Sequence, residues 1–564
     1  MPTVYVNDKP VEIGTKKLNC IQAAELAGAF VPHYCWHEGL SVVASCRMCM
    51  VETGDLKDGK VTMVPKVFPG CQTPVKDGTV IVTGDYAAKR DASFEKLPYD
   101  PTYKPGERAK KSQADTLEGL LINHPLDCPV CDKAGECKLQ DYSFEFGRSE
   151  SRMIDEKFSP ANKPGLSSKI TLFTDRCIMC TRCVRFTREI SGTAELYVNG
   201  RGHHEEIDIF PGRPLENKLS GNVIDLCPVG ALGSKDFLYT QRVWYLKETE
   251  NVCSGCSTGC SIHTDTNKDI VYRLRARDNP EAQGHFICDE GRWGYHYTNS
   301  PERFRKPLLK TDGKFFASTW PVVVPKLKAD LVAAIKADAA GVTVALSPFL
   351  TIEEAYAYGI AFKAMSPNVR LILGPVPVAG VDDTYPKDVR GNPVQPVKFT
   401  IRGEKCPNRL GVELVLKQLQ GEVIGFEKLG SPSALVVLGG YPKIEYLETS
   451  LPEGFVPPAL LVVQELFTSQ LAKLAHYILP ATTSFEKDGT FVNHAGLMQT
   501  FSRSVNPPAE ARSELQLAMD LAGKKGLAQA ATVQRELAKV FPQLAHLADA
   551  KPAKASKRLE LQTV

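Results

Sequence analysis

Residues 175–186 read DRCIMCTRCVRF, and the cysteines in this stretch, Cys177, Cys180 and Cys183, follow C-x2-C-x2-C. In two-cluster cysteine runs the triplet continues with x3-C-P, and that fourth cysteine serves the other cluster. Here the position is Thr187. Further on, NVIDLCPVGAL (222–232) supplies Cys227-Pro228, the end of a second run. Counting back from it with the same spacing lands on Val223, Ser220 and Asn217, none of them cysteine. The second run has lost three thiols, and the first has lost the one that would have served it. These matched losses leave one [4Fe–4S] centre, held by Cys177, Cys180, Cys183 and the remote Cys227. Unrelated zinc knuckles would not share such a paired omission.

Fifteen of the seventeen cysteines fall in four spaced groups before residue 289. With His124 they make sixteen ligands, enough for four tetracoordinate centres. The first group, Cys35, Cys46, Cys49 and Cys71, reads C-x10-C-x2-C-x21-C. Its single CxxC and distant fourth cysteine suit a [2Fe–2S] site better than zinc, which usually takes two CxxC pairs. Small residues, Ala44 and Ser45, precede Cys46 and let backbone N–H groups approach sulfide. GDLKDGK (54–60) is expected to be a hairpin insertion before Cys71. The second group, His124, Cys128, Cys131 and Cys137, reads H-x3-C-x2-C-x5-C. Taken alone it suits zinc as well as a cubane. Only three cysteines occur there and a cubane needs four ligands, which points to His124 as the fourth. The last group, Cys253, Cys256, Cys260 and Cys288, reads C-x2-C-x3-C-x27-C.

The bulk numbers set limits. At 564 residues with 43% hydrophobic content, the chain is expected to fold as several soluble domains. A net charge of +3 argues against nucleic-acid binding through a strong basic field. No apolar run is long enough to span a bilayer. The start, MPTVYVNDKPVEI, reads as strand, turn and strand, without the layout of a secretory or import signal. Clustered CxxC motifs in a large chain of this kind favour metal over disulfides. A cytoplasmic, bacterial setting is the expectation.

Residues 3–13 alternate around Asn7-Asp8 as a hairpin, and 18–29 repeat at helical spacing with Gly28 as a C-cap. VIVTGD (80–85) closes this α+β, β-grasp ferredoxin-like [2Fe–2S] domain at 1–98. The polar, Pro-rich residues 99–113 read as a linker. A helical His-Cys [4Fe–4S] module follows at 112–152, with a helix expected at 138–146. A halved bacterial-ferredoxin-like domain spans 168–240, and a further [4Fe–4S] domain 246–302. From 303 to 525 the texture is α/β. VVLGG (436–440) and LLVVQ (460–464) read as buried parallel strands. A terminal helix and charged tail occupy 526–564.

The order of the four groups, with HPLDCPVCDKAGECKLQDYSFEFG (124–147), DRCIMCTRCVRF (175–186), NVIDLCPVGAL (222–232) and FICDEGRWGY (286–295), resembles one family. It is the large iron–sulfur subunit (the G subunit) of respiratory NADH:quinone oxidoreductase (complex I), in the bacterial form with the extra fourth group. The resemblance is strong over about 1–300 and weaker over 301–525. It implies one [2Fe–2S] and three [4Fe–4S] clusters that relay electrons from a flavin/NADH module toward quinone, with the fourth cluster off the main path. It implies as partners the flavin/NADH-binding subunit, a small [2Fe–2S] subunit and the quinone-side hydrophilic subunits. It further implies a peripheral place on the inner face of the bacterial plasma membrane, with no span of the chain's own.

Residues 479–499, LPATTSFEKDGTFVNHAGLMQ, resemble the pterin-lining segment of molybdopterin oxidoreductases, as the fourth group resembles their [4Fe–4S] domain. Working members hold the metal through Cys, selenocysteine or Ser, yet no cysteine lies between Cys288 and Cys406. The domain is therefore expected to be degenerate, without molybdenum, and Cys406 to be incidental. Cys20 is expected to pack on the inner face of the first helix. Asp225, His203 and His204 are expected at the surface, and no catalytic residue of the chain's own is expected. The rivals are a stand-alone oxidoreductase, either a formate dehydrogenase or an iron-only hydrogenase, and a zinc scaffold. The first needs a metal-binding residue in a full pterin domain, the second further cysteines past Cys288.

Overall fold

The computed structural model describes residues 1–549 and 556–558. It forms two compact units. Unit 1 is Met1–Tyr245 with Pro386–Gln395; unit 2 is Leu246–Tyr385 with the described residues after Gln395.

Unit 1 begins with a five-stranded sheet in the order Lys9–Glu12, Thr3–Val6, Thr79–Val82, Met50–Lys57, Lys60–Pro69. The first hairpin turns on Asn7 and Asp8, both at positive φ, as its twist requires. Asn7 also ties the turn to the closing strand: the Thr83 amide donates to its Oδ1 at 2.9 Å. The helix Cys20–Ala27 starts on a capping box between Asn19 and Gln22 and stops at Gly28, at φ 79°. The expected hairpin insertion is present, turning on Asp58-Gly59 between Met50–Lys57 and Lys60–Pro69.

The stretch 99–113 is not a linker. The helix Glu107–Leu121 begins inside it and buries Ala109, Gln113 and Leu117 along one face. Its first turn sits on the buried carboxylate of Glu52, which accepts from the amides of Arg108 (2.9 Å) and Ala109 (3.1 Å). An anion at a helix N-terminus offsets the unpaired N–H groups there. The polar Lys110 and Lys111 lie on its exposed face. The next helix, Lys138–Phe146, is where the sequence placed it. Beyond it, elements are short: Ile170–Leu172 pairs antiparallel with Leu232–Ser234, and Leu196–Asn199 with Glu206–Ile209. Residues 386–395 belong to this unit through contacts such as the Lys387 amide donating to the Ile190 carbonyl at 3.0 Å.

Unit 2 opens with the antiparallel strands Lys247–Val252, Ser261–Asn267 and Ile270–Ala276. A seven-stranded sheet follows in the order Lys314–Ala317, Leu308–Thr311, Tyr477–Pro480, Leu460–Glu465, Ala434–Leu438, Val342–Leu346, Arg370–Leu373. From Tyr477–Pro480 to Arg370–Leu373 its neighbours run parallel. Alternate residues feed two cores: Val436, Leu438 and Val462 enter one, Leu435, Val437, Leu461 and Val463 the other. That two-sided burial is why these strands read as continuous apolar runs. The C-terminal helix is Ala530–Val540, followed by a 3₁₀ turn at Pro542–Asp549. The rest of the expected tail, 550–555 and 559–564, lies outside the described residues.

Candidate metal centres

Cys35, Cys46 and Cys49 of the first group lie in the loop between the helix Cys20–Ala27 and the strand Met50–Lys57, and Cys71 follows the strand Lys60–Pro69. Ala44 and Arg47 hold positive φ there, which turns backbone N–H groups inward; the Cys35 amide donates to the Cys46 sulfur at 3.4 Å. All four thiols meet. Cys46 and Cys71 hydrogen-bond to Cys35, and Cys71 to Cys49. These bonds hold Cys35 and Cys49 below the usual thiol range and push Cys46 and Cys71 above it.

The third group is assembled across the longest gap. The helix Arg182–Glu189 carries Cys183 on its first turn, and the helix Asn222–Leu226 ends on Cys227. Met179 and Thr181 sit at positive φ, and the Met179 amide donates to Cys177 Sγ at 3.4 Å. Each of Cys177, Cys180 and Cys183 feels the charge of Cys227. Burial pushes all three thiols up, Cys180 to about 11. Metal binding there must displace protons.

In the second group Cys137 immediately precedes the helix Lys138–Phe146, and Cys131 and Cys137 are buried while Cys128 is exposed. Burial pushes Cys137 up to about 11 and raises Cys131, which also feels Cys128. His124 is half-buried, with its Nδ1 unpartnered. Burial, then Lys157 and Arg176, press its imidazole down to about 4, so it is neutral and able to donate a lone pair. Arg176 acts on Cys131 too and bonds Asp127 at 2.8 Å. Gly230, just past Cys227-Pro228, approaches so closely that a Cβ there would lie 2.1 Å from Cys131 Sγ.

The fourth group closes on the helix Asp289–Trp293, where the Gly291 amide donates to Cys288 Sγ at 3.3 Å. A Cβ on Gly291 would come within 3.1 Å of Cys253 Sγ and 3.5 Å of Cys288 Sγ. Burial pushes Cys253 up to about 12, and raises Cys260 and Cys288 well above the usual range. Residues of 484–499 grip its loop. Asn493 Nδ2 donates to the Thr258 carbonyl at 2.9 Å, Gln499 Nε2 to that of Gly259 at 2.6 Å, and the His494 amide to that of Ser257 at 2.9 Å.

The donor sets fit iron–sulfur clusters: thiols facing one another, amides aimed at sulfur, an orphaned imidazole nitrogen, and glycines where a side chain would fill the cradle. Among the described residues no group of three or more His, Cys, Asp and Glu is arranged to grip a single ion. Cys20 is wholly buried in the first core, and Cys406 in a core of unit 2, where it feels Cys256. His203 and His204 are exposed, as expected, and Asp225 is half-buried. Sequence reading did not single out Arg176, Arg182, Arg185, Gly230, Gly291, Asn493 or Gln499. Their signal was adjacency: each arginine lies within two residues of a proposed ligand.

Family models tile the chain in the same order. They are a 2Fe-2S iron-sulfur cluster binding domain (2–86), an NADH-ubiquinone oxidoreductase-G iron-sulfur binding region (113–152), an NADH-quinone oxidoreductase subunit 3 ferredoxin-like domain (167–233), a molybdopterin oxidoreductase Fe4S4 domain (246–300) and a molybdopterin oxidoreductase domain (420–524). The chain is thus an iron–sulfur protein of mixed α/β build, ending in a molybdopterin-oxidoreductase-like domain. Over its first part it is similar to the G subunit of NADH-quinone oxidoreductase and its mitochondrial counterparts, as the sequence motifs indicated. It is 37% identical over 318 residues to the mitochondrial NADH dehydrogenase [ubiquinone] iron-sulfur protein 1 of Solanum tuberosum, covering 56% of this chain and 39% of that one. It is 33% identical over 338 residues to the NADH-quinone oxidoreductase G subunit of Mycobacterium bovis (60% and 39%) and 34% over 318 to that of Rickettsia conorii (56% and 42%). The match spans about two fifths of the length of these curated relatives. A chain from the crystal structure of NAD+-reducing [NiFe]-hydrogenase in the H2-reduced state is 24% identical, covering 43% of this chain and 91% of its own, at a TM-score of 0.33.

Proposed function

We propose that this chain relays single electrons as the large iron–sulfur subunit of a respiratory NADH:quinone oxidoreductase, between the NADH/FMN module and quinone. Cys35, Cys46, Cys49 and Cys71 would hold a [2Fe–2S] cluster. His124, Cys128, Cys131 and Cys137 would hold one [4Fe–4S] cluster, Cys177, Cys180, Cys183 and Cys227 a second, and Cys253, Cys256, Cys260 and Cys288 a third. When bound, such clusters supply reversible one-electron exchange. The chain's own part is to bury the thiols, aim amides at sulfur and exclude water, which sets each potential. The α/β domain of 303–525 is read as a scaffold without molybdenum, and the fourth site as lying off the main path. Partners in this reading are the flavin/NADH-binding subunit, the small [2Fe–2S] subunit and the quinone-side hydrophilic subunits, not nucleic acid. The place is the inner face of a bacterial plasma membrane, reached through those subunits; among the described residues no helix is long and apolar enough to cross a membrane.

What supports the reading most is the arrival of Cys227 beside Cys177, Cys180 and Cys183, a quartet that only the halved two-cluster run explains. The test is EPR with iron and sulfide analysis on the anaerobically purified protein. Cys180→Ala and Cys227→Ala are expected to abolish the same signal. Loss of two different signals, or a wild-type protein carrying zinc without acid-labile sulfide, would refute it.

A further inference from the structure

We propose that Arg182 and Arg185 are positioning residues that clamp the first and third cysteine sites together and bias the third toward its reduced form. The inference rests on the proposed cluster assignment. Arg185 Nη2 donates to the carbonyl of Cys35 and, at 3.4 Å, to that of Cys180. One nitrogen thus joins the peptide of a first-site ligand to that of a third-site ligand. Its Nη1 donates to the Ser41 carbonyl in the same loop. Arg182 repeats the pattern: Nη1 donates to the Leu226 carbonyl at 3.2 Å, next to Cys227, and Nη2 to the Trp36 carbonyl, next to Cys35. Glu189, on the same helix, accepts from the Ser41 amide at 2.8 Å. Three side chains of one helix therefore grip the loop 35–41.

Both guanidinium groups are buried, at 4% and 8% exposure, and their Nε atoms have no partner. Neither forms an ion pair with a carboxylate among the described residues. A buried cation without a counter-anion is costly. The groups facing these two are the third-site cysteines, which become thiolates when metal displaces their protons: Cys180 feels both arginines, and Arg182 feels Cys180 and Cys227. An added electron makes that site more negative, so the guanidinium charge favours reduction there. The carbonyl bonds hold the separation over which an electron must tunnel, and they offer a path of few atoms between the two ligands.

The test uses the full chain in its complex, isolated anaerobically, with Arg185→Met, Arg185→Lys and Arg182→Lys. Three readouts are needed: iron and sulfide content, EPR midpoint titration of the third site, and the spin-relaxation enhancement it imposes on the [2Fe–2S] signal. Arg185→Met is expected to lower the ratio of reduced to oxidised third site about tenfold at fixed poise, a shift of about 59 mV for one electron. Arg185→Lys keeps the charge but loses the fork, so it is expected to restore the potential and not the relaxation enhancement. Should Arg185→Met lose its clusters, reduced relaxation enhancement in the two lysine variants at full iron content supports the clamp. Wild-type potential and relaxation in every variant that keeps its clusters overturns it. A wild-type protein lacking both signals refutes the cluster assignment itself.

Discussion

In unit 1 the loops carrying Cys35 and Cys180 are joined by buried guanidinium groups, whereas in unit 2 the loop carrying Cys253, Cys256 and Cys260 is held by the neutral amides of Asn493 and Gln499. Lys405, a cation near that quartet, is itself paired with Glu290 at 2.7 Å. The difference separates two tasks. A neutral amide positions a loop and leaves its charge balance alone; an arginine positions it and also favours an added electron. The two units also differ in their scaffolding. Residues 122–240 are built from short elements, while unit 2 rests on a seven-stranded sheet between two apolar cores.

The strongest challenge to that contrast is to strip the metal. In small metal-bound modules the binding energy is folding energy. Anaerobic chelation is expected to open residues 122–240 to protease while the sheet from Val342–Leu346 to Tyr477–Pro480 stays protected, as read by limited proteolysis with mass mapping. Equal protection of both regions would erase the distinction.

A smaller effect is expected from Asn493→Ala. It removes a buried bond to the Thr258 carbonyl and leaves that acceptor unsatisfied, a cost of about 1–3 kcal/mol. The EPR signal of the fourth site should broaden or vanish while the other three keep theirs. Damage reaching the unit 1 signals would show that the grip is not local.

The smallest concerns a buried carboxyl away from all four sites. Burial pushes Glu465 up to about 8, and its Oε1 has no partner. Its folded value lies above its unfolded one, so its contribution is fully present below about pH 4.3 and is lost as pH rises through about 8. Glu465→Gln is expected to match wild type near pH 4 and to melt higher at pH 8. An equal Tm difference at both pH values would contradict the assignment.

Much of this was legible beforehand. The matched loss at Thr187, Val223, Ser220 and Asn217 needs only counting, and the burial of 436–440 and 460–464 needs only apolar run length. Gly28 and Asn7-Asp8 betray their turns because few residues take positive φ cheaply. What escaped was tertiary. Glu52 sits far from residue 107 in sequence, so nothing local says that Arg108 and Ala109 open a helix on its carboxylate. The arginine clamp escaped for the same reason: its acceptors are main-chain carbonyls, which every residue has. Segment 479–499 was read by its likeness to a pterin lining, and that likeness is silent about the grip its Asn493 takes on Thr258.

The close approach of Gly230 to Cys131 carries a lesson for engineering. Two residues past the thiol-proline end of one quartet, the main chain is a wall of the next, with no room for even a methyl group. The Lys138 amide donating to the Pro228 carbonyl at 3.0 Å stitches the same seam. Residues 124–137 and 222–231 are therefore not separable cassettes. A graft of either into another scaffold must bring the other along, and any insertion at position 230 trades away two centres at once.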